Sequence, residues 1–388
     1  MQLAPTELKM WEKTPTSSPD STSDDDINAK YEKGEKRILT EINREKLPNF
    51  AAALKNQDYM ETRPFYQRRS RWDATMQSKL IESFLINIPV PPIILYEKDF
   101  NKYEVMDGQQ RITAIQDFYD NTLVLTGLEL WQELNGRTYK QLPHKIKAGI
   151  DRRSISSIVL ITESTSDPEE ALFLKQLAFE RLNTGGIELS NQEVRNCLYY
   201  GKFNELLLDL SQNPIFVKAW DIPIDKPEDL AKNNLYKKME DVELILRFFA
   251  LRHFEKFRNG MEDFLNAYMM KSLKFTDADI ESLKNIFIQT IELAHQIYED
   301  KLFKPFDSKD TRKKGAYKDY YDAVMVGFSH YLDNSETLIM KKSIILEETK
   351  KIIQEDKSRL FTGGSRTKAD LQNRIRLFSQ MLAKVIAG

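Results

Sequence analysis

The sequence predicts an α+β protein in which an N-terminal α/β domain is followed by an all-α helical domain. Three observations lead there. Short β-prone runs alternate with helical patterns up to about residue 200, whereas beyond Gly201 apolar residues recur only at helical spacing. A chain of 388 residues is long enough for two or three domains of roughly 150 residues each. Hydrophobic residues make up 41% and charged residues 30%, with 14 Gly and 14 Pro, which excludes collagenous, low-complexity and largely disordered chains.

Residues 14–26 are almost entirely Thr, Ser, Pro and Asp and end in Asp24-Asp25-Asp26. Such a stretch cannot bury enough apolar surface to offset its ordering entropy. Residues 1–36 therefore read as a flexible acidic leader, with structure beginning near Arg37; 37–200 form the α/β domain and 201–388 the helical domain. Asp73 can cap a helix running to Ile86, with Met76, Leu80 and Phe84 on one face, and the prolines from Pro89 to Pro92 end it. Ile93-Ile94-Leu95-Tyr96 and Tyr103-Glu104-Val105-Met106 read as a strand pair, followed by a turn at Asp107-Gly108. Ile112, Ile115, Phe118 and Tyr119 give the stripe of the next helix, and residues 155–161 are a β-branched strand. Pro168 at a first helical position opens a helix to Leu182 that Gly185-Gly186 stops. Ser190 and Glu193 form a capping box for a helix through Tyr200. Helical spacing then recurs over 203–210, 242–254, 261–270, 280–298, 317–331, 338–353 and 371–386, with no repeat period that would mark a solenoid.

Lys plus Arg is 57 against 59 for Asp plus Glu, a formal charge of -2, so any contact with a polyanion must be local. The single Cys197 cannot form an internal disulfide, and with four His it cannot build a zinc framework of the usual spacing. The most apolar stretch, 84–96, is broken by Asn87, Pro89, Pro91 and Pro92, so no membrane span is expected. The N-terminus lacks the basic start and apolar core of a signal peptide, and the expected location is the cytoplasm.

Three motifs carry chemistry. In Asp107-Gly108-Gln109-Gln110-Arg111 a strand ends at a turn and feeds a helix, bringing free backbone N–H groups and the positive helix end to one point, as a phosphate requires. Arg111 adds a bidentate donor, Gln109 and Gln110 can bond sugar or base, and Asp107 could hold a divalent cation or position water. An ordinary turn and helix cap is the alternative. Residues 63–72 hold four arginines, among them Arg68, interleaved with Phe65, Tyr66 and Trp72, a pairing that offers phosphate neutralisation and base stacking; a solvated loop is the alternative. Arg181, Asn183 and Arg195 flank the Asn183-Thr184-Gly185-Gly186 turn and could converge on a ligand, although a helix end and a capping box explain most of that segment. Arg247 with His253, and the loop 362–368, are weaker signals that read as helix and cap. The loop 309–318, with Arg312, Lys313, Lys314 and Lys318, is the one basic run of the helical half and a candidate DNA surface.

Tyr66-Gln67-Arg68 with Trp72, the segment from Gln77 to Ser83 ending at Ile88-Pro89-Val90-Pro91-Pro92, and Asp107-Gly108-Gln109-Gln110-Arg111 together resemble the N-terminal domain of GmrSD-type restriction proteins. The Asn-Thr-Gly-Gly turn with Leu189, Ser190, Glu193 and Arg195 is similar to that family's third block, so the resemblance covers roughly residues 47–200. It implies a ParB/sulfiredoxin-like fold and a GmrS-like component of anti-phage defence. Binding and hydrolysis of a nucleoside triphosphate with Mg2+ would then occur at Asp107, Gly108, Gln109, Gln110 and Arg111, with Arg68 nearby and Asp107 as the metal-binding and catalytic carboxylate. It further implies DNA and a partner nuclease subunit as partners, with homo-oligomerisation left open. Two-part members carry a C-terminal His-x-x-Pro-like nuclease motif, which does not follow His253, His295 or His330 here. A non-hydrolysing, nucleotide-gated DNA-binding switch and a direct nuclease remain as alternatives.

Overall fold

The structure, a computed structural model, describes residues 3–11, 23–25, 27–28, 38–56, 59–61, 72–161, 168–182, 190–258, 260–304, 315–355, 359–363 and 367–388. It divides into two compact units, one comprising Thr16–Leu189 and the other Met1–Pro15 with Ser190–Gly388.

Among the described residues, the first unit is built on a five-stranded mixed sheet in the order β1-β5-β3-β4-β2. Its strands are β1 (Leu39–Lys46), β2 (Met60–Glu61), β3 (Ile93–Asp99), β4 (Lys102–Asp107) and β5 (Ser154–Ile161). The expected pair β3 and β4 is antiparallel, with Glu97 opposite Tyr103. β3 runs parallel to β5, and β5 is antiparallel to β1 from Leu39↔Ile161 to Lys46↔Ser154. Because strand side chains alternate between faces, Leu95, Val105, Ile155 and Val159 share one side of the sheet. There they join a core with Phe50, Leu80, Ile81, Phe84, Ile112, Ile115 and Phe118 from the helices Leu47–Ala53, Ala74–Leu85 and Gln109–Tyr119. The Asp73 cap forms as its sequence predicts, its Oδ1 accepting from the Met76 N–H at 2.8 Å.

On the opposite side Tyr96 and Glu104 are cross-strand partners. The Pro168–Leu182 helix delivers Lys175 to them, its Nζ 2.9 Å from both Glu104 oxygens and 4.4 Å from the Tyr96 ring centre. Both charged side chains are almost completely buried, so each satisfies the other where water cannot. β1 and the helices Leu47–Ala53 and His144–Asp151 were not foreseen from the sequence. β1 carries four charges in eight residues and is held by edge pairing with β5 rather than by an apolar pattern.

The second unit is helical. Its longer helices are Lys202–Leu210, Glu240–Leu251, Met261–Ser272, Asp277–Tyr298, Lys318–Ser329, Lys342–Glu355 and Lys368–Ala387. The single helix expected over 338–353 is two, Ser335–Met340 and Lys342–Glu355, parted at Lys341. The helix expected to reach Tyr200 spans Asn191–Leu198, and its Ser190 capping box is present. That helix lies in the helical unit, so the division falls before Ser190 rather than at Gly201. The physical reason is local: Ser190 Oγ donates to the Lys238 carbonyl at 2.6 Å, and Arg195 is buried against Glu243.

The leader also departs from its expectation. Pro5–Lys9 is a short helix of the helical unit, and Glu7, fully buried, accepts from Tyr268 Oη at 2.9 Å and lies 3.0 Å from His253 Nε2 and 3.4 Å from Arg252 Nη1. Thr6 Oγ1 donates to Asp279 at 2.6 Å, and Trp11 stacks on Phe264 with centroids 5.4 Å apart. Most of residues 14–26, on whose composition the leader expectation rests, lie outside the described residues, and that composition does not extend back to Pro5–Lys9. Among the described residues no helix is long and apolar enough to cross a membrane.

Candidate functional site

β4 ends at Asp107, Gly108 adopts φ 99°, and the helix Gln109–Tyr119 begins at the next residue. The left-handed turn is open to glycine at no steric cost. A Cβ here would also lie 3.1 Å from Ile93 Cγ1 and 3.1 Å from Arg111 Nη2, so Gly108 permits a close approach as well as a turn. The first intrahelical bond is Ile112 N–H to the Gly108 carbonyl at 2.9 Å. The N–H groups of Gln109, Gln110 and Arg111 precede it and form the positive end of the helix.

The side chains are ordered around that end. Arg111 Nη2 donates to Asp107 Oδ2 at 2.6 Å and to the Pro92 carbonyl at 3.2 Å. Asp107 is 35% exposed and Arg111 15%, so the pair is reachable from solvent on the carboxylate side. Gln110 is turned inward, its Oε1 accepting from the Trp72 N–H at 2.9 Å, and thereby fixes the last residue of the arginine-rich segment. Gln109 Oε1 and Arg111 Nε are buried and have no hydrogen-bond partner among the described residues. Buried polar atoms are nearly always bonded; the orphaned Arg111 Nε is a donor beside a helix N-terminus, whereas the Gln109 amide oxygen only accepts and offers an anion nothing.

The structure thus brings together Asp107, Gly108, Gln109, Gln110 and Arg111, but with roles altered from those the sequence suggests. Asp107 and Arg111 hold each other instead of standing free. Gln110 is a structural contact rather than one open to a ligand. The i,i+4 spacing of Asp107 and Arg111 is a signal that could have announced the pair; the Pro92 carbonyl, nineteen positions away, could not have been anticipated.

The remaining candidates do not join them. Arg68 and Asn183 lie outside the described residues. Arg181 is exposed in the last turn of Pro168–Leu182. Arg195 is buried in the helical unit, donating to Asn266 Oδ1 at 2.8 Å, Glu243 Oε2 at 2.8 Å and Gln192 Oε1 at 3.3 Å. The expectation that it contacts a ligand is therefore corrected: a buried guanidinium needs these acceptors to be stable there. Arg247 pairs with Asp322 and His253 with Glu7, both as core contacts, as the helical reading of that segment anticipates. Of the basic loop, Arg312, Lys313 and Lys314 lie outside the described residues, and Lys318 is paired with Glu240 at 2.6 Å. Among the described residues no three His, Cys, Asp or Glu side chains gather into a metal cluster. Asp107 alone could serve Mg2+ only where phosphate oxygens complete the coordination, which is the usual arrangement for that ion.

No curated protein and no solved structure matches this chain. The family model of the GmrSD restriction endonuclease N-terminal domain matches residues 50–200, which include the whole Asp107–Arg111 segment. The match suggests a component of a phage-defence restriction system, with roles related to DNA and to a nuclease. The residues similar to the GmrSD restriction endonuclease N-terminal domain, 50–200, thus include the interior strand β4 and the helix N-terminus to which it delivers that motif.

Proposed function

We propose that this domain, which we read as ParB/sulfiredoxin-like, binds a nucleoside triphosphate at the end of β4 and hydrolyses it with Mg2+. Its nucleotide state would control DNA recognition or a partner nuclease. The observation that carries the reading is the orphaned Arg111 Nε beside the N-terminal end of the Gln109–Tyr119 helix. A phosphate at that point meets backbone donors, the positive helix end and a guanidinium. It competes with Asp107 for Arg111. Releasing the carboxylate frees it to orient water or to meet Mg2+, whose contribution is to neutralise charge on the phosphate oxygens. Turnover and binding thereby depend on opposite members of one ion pair. The same exchange could operate without hydrolysis, and the 2.6 Å Asp107–Arg111 contact favours that nucleotide-gated switch as the second reading.

Calorimetric titration with the four ribonucleoside triphosphates, with and without Mg2+, tests binding, and phosphate release tests turnover. Arg111→Ala removes a charge-assisted contact worth about 2–3 kcal/mol and should weaken binding roughly 30- to 150-fold. Asp107→Ala should bind nucleotide at least as well as the native chain and release no phosphate. Equal affinity of the native chain and Arg111→Ala excludes this site. Intact binding with no phosphate release by the native chain selects the switch.

A further inference from the structure

A cleft that no residue of the Asp107 turn lines opens in the α/β unit on the sheet side that carries Leu95 and Val159. It measures about 280 Å3, with Phe50, Met60 and Leu95 among its buried walls. Its polar rim is formed by Asn43, Glu45 and Ser157 from β1 and β5 and by the rings of Tyr59 and Tyr103. The rings meet edge to face, with centroids 5.5 Å apart and planes at 80°, and the Tyr103 N–H donates to the Tyr59 carbonyl at 3.1 Å, which locks them together. Glu45 is half-buried, and its carboxylate has no hydrogen bond or ion pair among the described residues. Burial pushes its carboxyl up, as expected for an acid that lacks a counter-charge. Burial and then the Glu45 charge raise the Tyr59 hydroxyl, while burial and then Glu97 and Glu41 raise that of Tyr103. Three carboxylates therefore act on two perpendicular aromatic rings. Arg44 borders the cleft from a strand position whose side chain alternates to the other face.

We infer that this cleft binds the ammonium end of a small organic amine, seated beside the edge-to-face Tyr59 and Tyr103 rings and neutralised by Glu45. Two ring faces at right angles with a carboxylate beside them attract a cation through the ring quadrupole and by direct charge. The same carboxylates repel phosphate, so the cleft and the proposed nucleotide site differ in ligand class. Its volume suits an aliphatic amine of a few carbons and is below that of most drug-sized pockets. The inference does not depend on the nucleotide reading, because no residue is shared between the two.

Calorimetric titration of the full chain with butane-1,4-diamine, tetramethylammonium and cytidine tests it. The diamine should bind saturably, with Glu45→Gln weakening it at least about tenfold and Tyr103→Phe, which keeps the ring, leaving it unchanged. Tyr103→Leu should abolish binding, and a cooperative melt of each variant separates lost binding from lost folding. Nucleotide binding should be unaltered in Glu45→Gln. The absence of saturable diamine binding, equal affinity in Glu45→Gln, or preference for cytidine over both cations would overturn the assignment.

Discussion

Replacing Gly108 by Ala tests whether the turn at the end of β4 is as closely packed as the geometry requires. The residue sits at φ 99°, where an L side chain costs about 1–2 kcal/mol. The added Cβ would stand 3.1 Å from Ile93 Cγ1, 3.3 Å from Ile93 Cα and 3.1 Å from Arg111 Nη2. Ile93 Cα belongs to a central strand and cannot retreat, and Arg111 is tethered to Asp107 and to the Pro92 carbonyl, so overpacking adds about 1–3 kcal/mol. Against this, the reduced freedom of the unfolded chain returns about 0.4–1 kcal/mol. The expected destabilisation is about 2–4 kcal/mol, with loss of the Arg111–Asp107 contact. Gly136 is the internal control: it has φ 82° with nothing within 4 Å, so Gly136→Ala should cost only about 1 kcal/mol, the backbone contribution alone. Hydrogen exchange of the β3 and β4 amides under increasing urea reads the α/β unit without interference from the helical one. Equal costs for the two substitutions would refute the close approach at Gly108 and with it the proposed geometry of the helix end.

Lys175→Met leaves Glu104 buried without its ammonium and should destabilise the α/β unit by about 3–5 kcal/mol, while Lys175→Met with Glu104→Leu should recover most of the loss; urea midpoints followed by the same amide exchange decide it. Around Glu7, burial alone would push the carboxyl up, but the His253 hydrogen bond and the Arg252 charge outweigh it and hold the group below its usual range. A lowered folded-state value stabilises above the unfolded value, and that contribution fades as pH falls through the folded one. Trp11 fluorescence should therefore report release of the N-terminal helix as pH falls below the ordinary carboxylate range. Glu7→Gln should have lost that contribution already at pH 7, and an identical acid profile in the two chains would show that another group governs docking.

Elements with a local signature are legible in the amino-acid sequence. Asp73 and Ser190 cap the helices they precede, because a cap needs only a side chain and N–H groups two or three residues on. The Asp107-Gly108 turn and the β3–β4 pair follow from turn chemistry and β-branched residues close together in sequence. The GmrSD resemblance rests on equally short motifs, and the family match at 50–200 agrees with it. Elements fixed by distant partners are hidden. β1 has the charge content of a surface segment and becomes a strand only because β5 offers it a full edge. Arg195 looks like a ligand contact beside a glycine turn until Glu243 and Asn266, far along the chain, claim it. Glu7 looks like part of a solvated leader until Arg252, His253 and Tyr268 enclose it. For Arg195 and Glu7 the sequence supplies the charge, while its partner is chosen by burial. An unpaired charge inside a protein is too costly to leave, and which opposite charge lies within reach is decided only when the chain has folded.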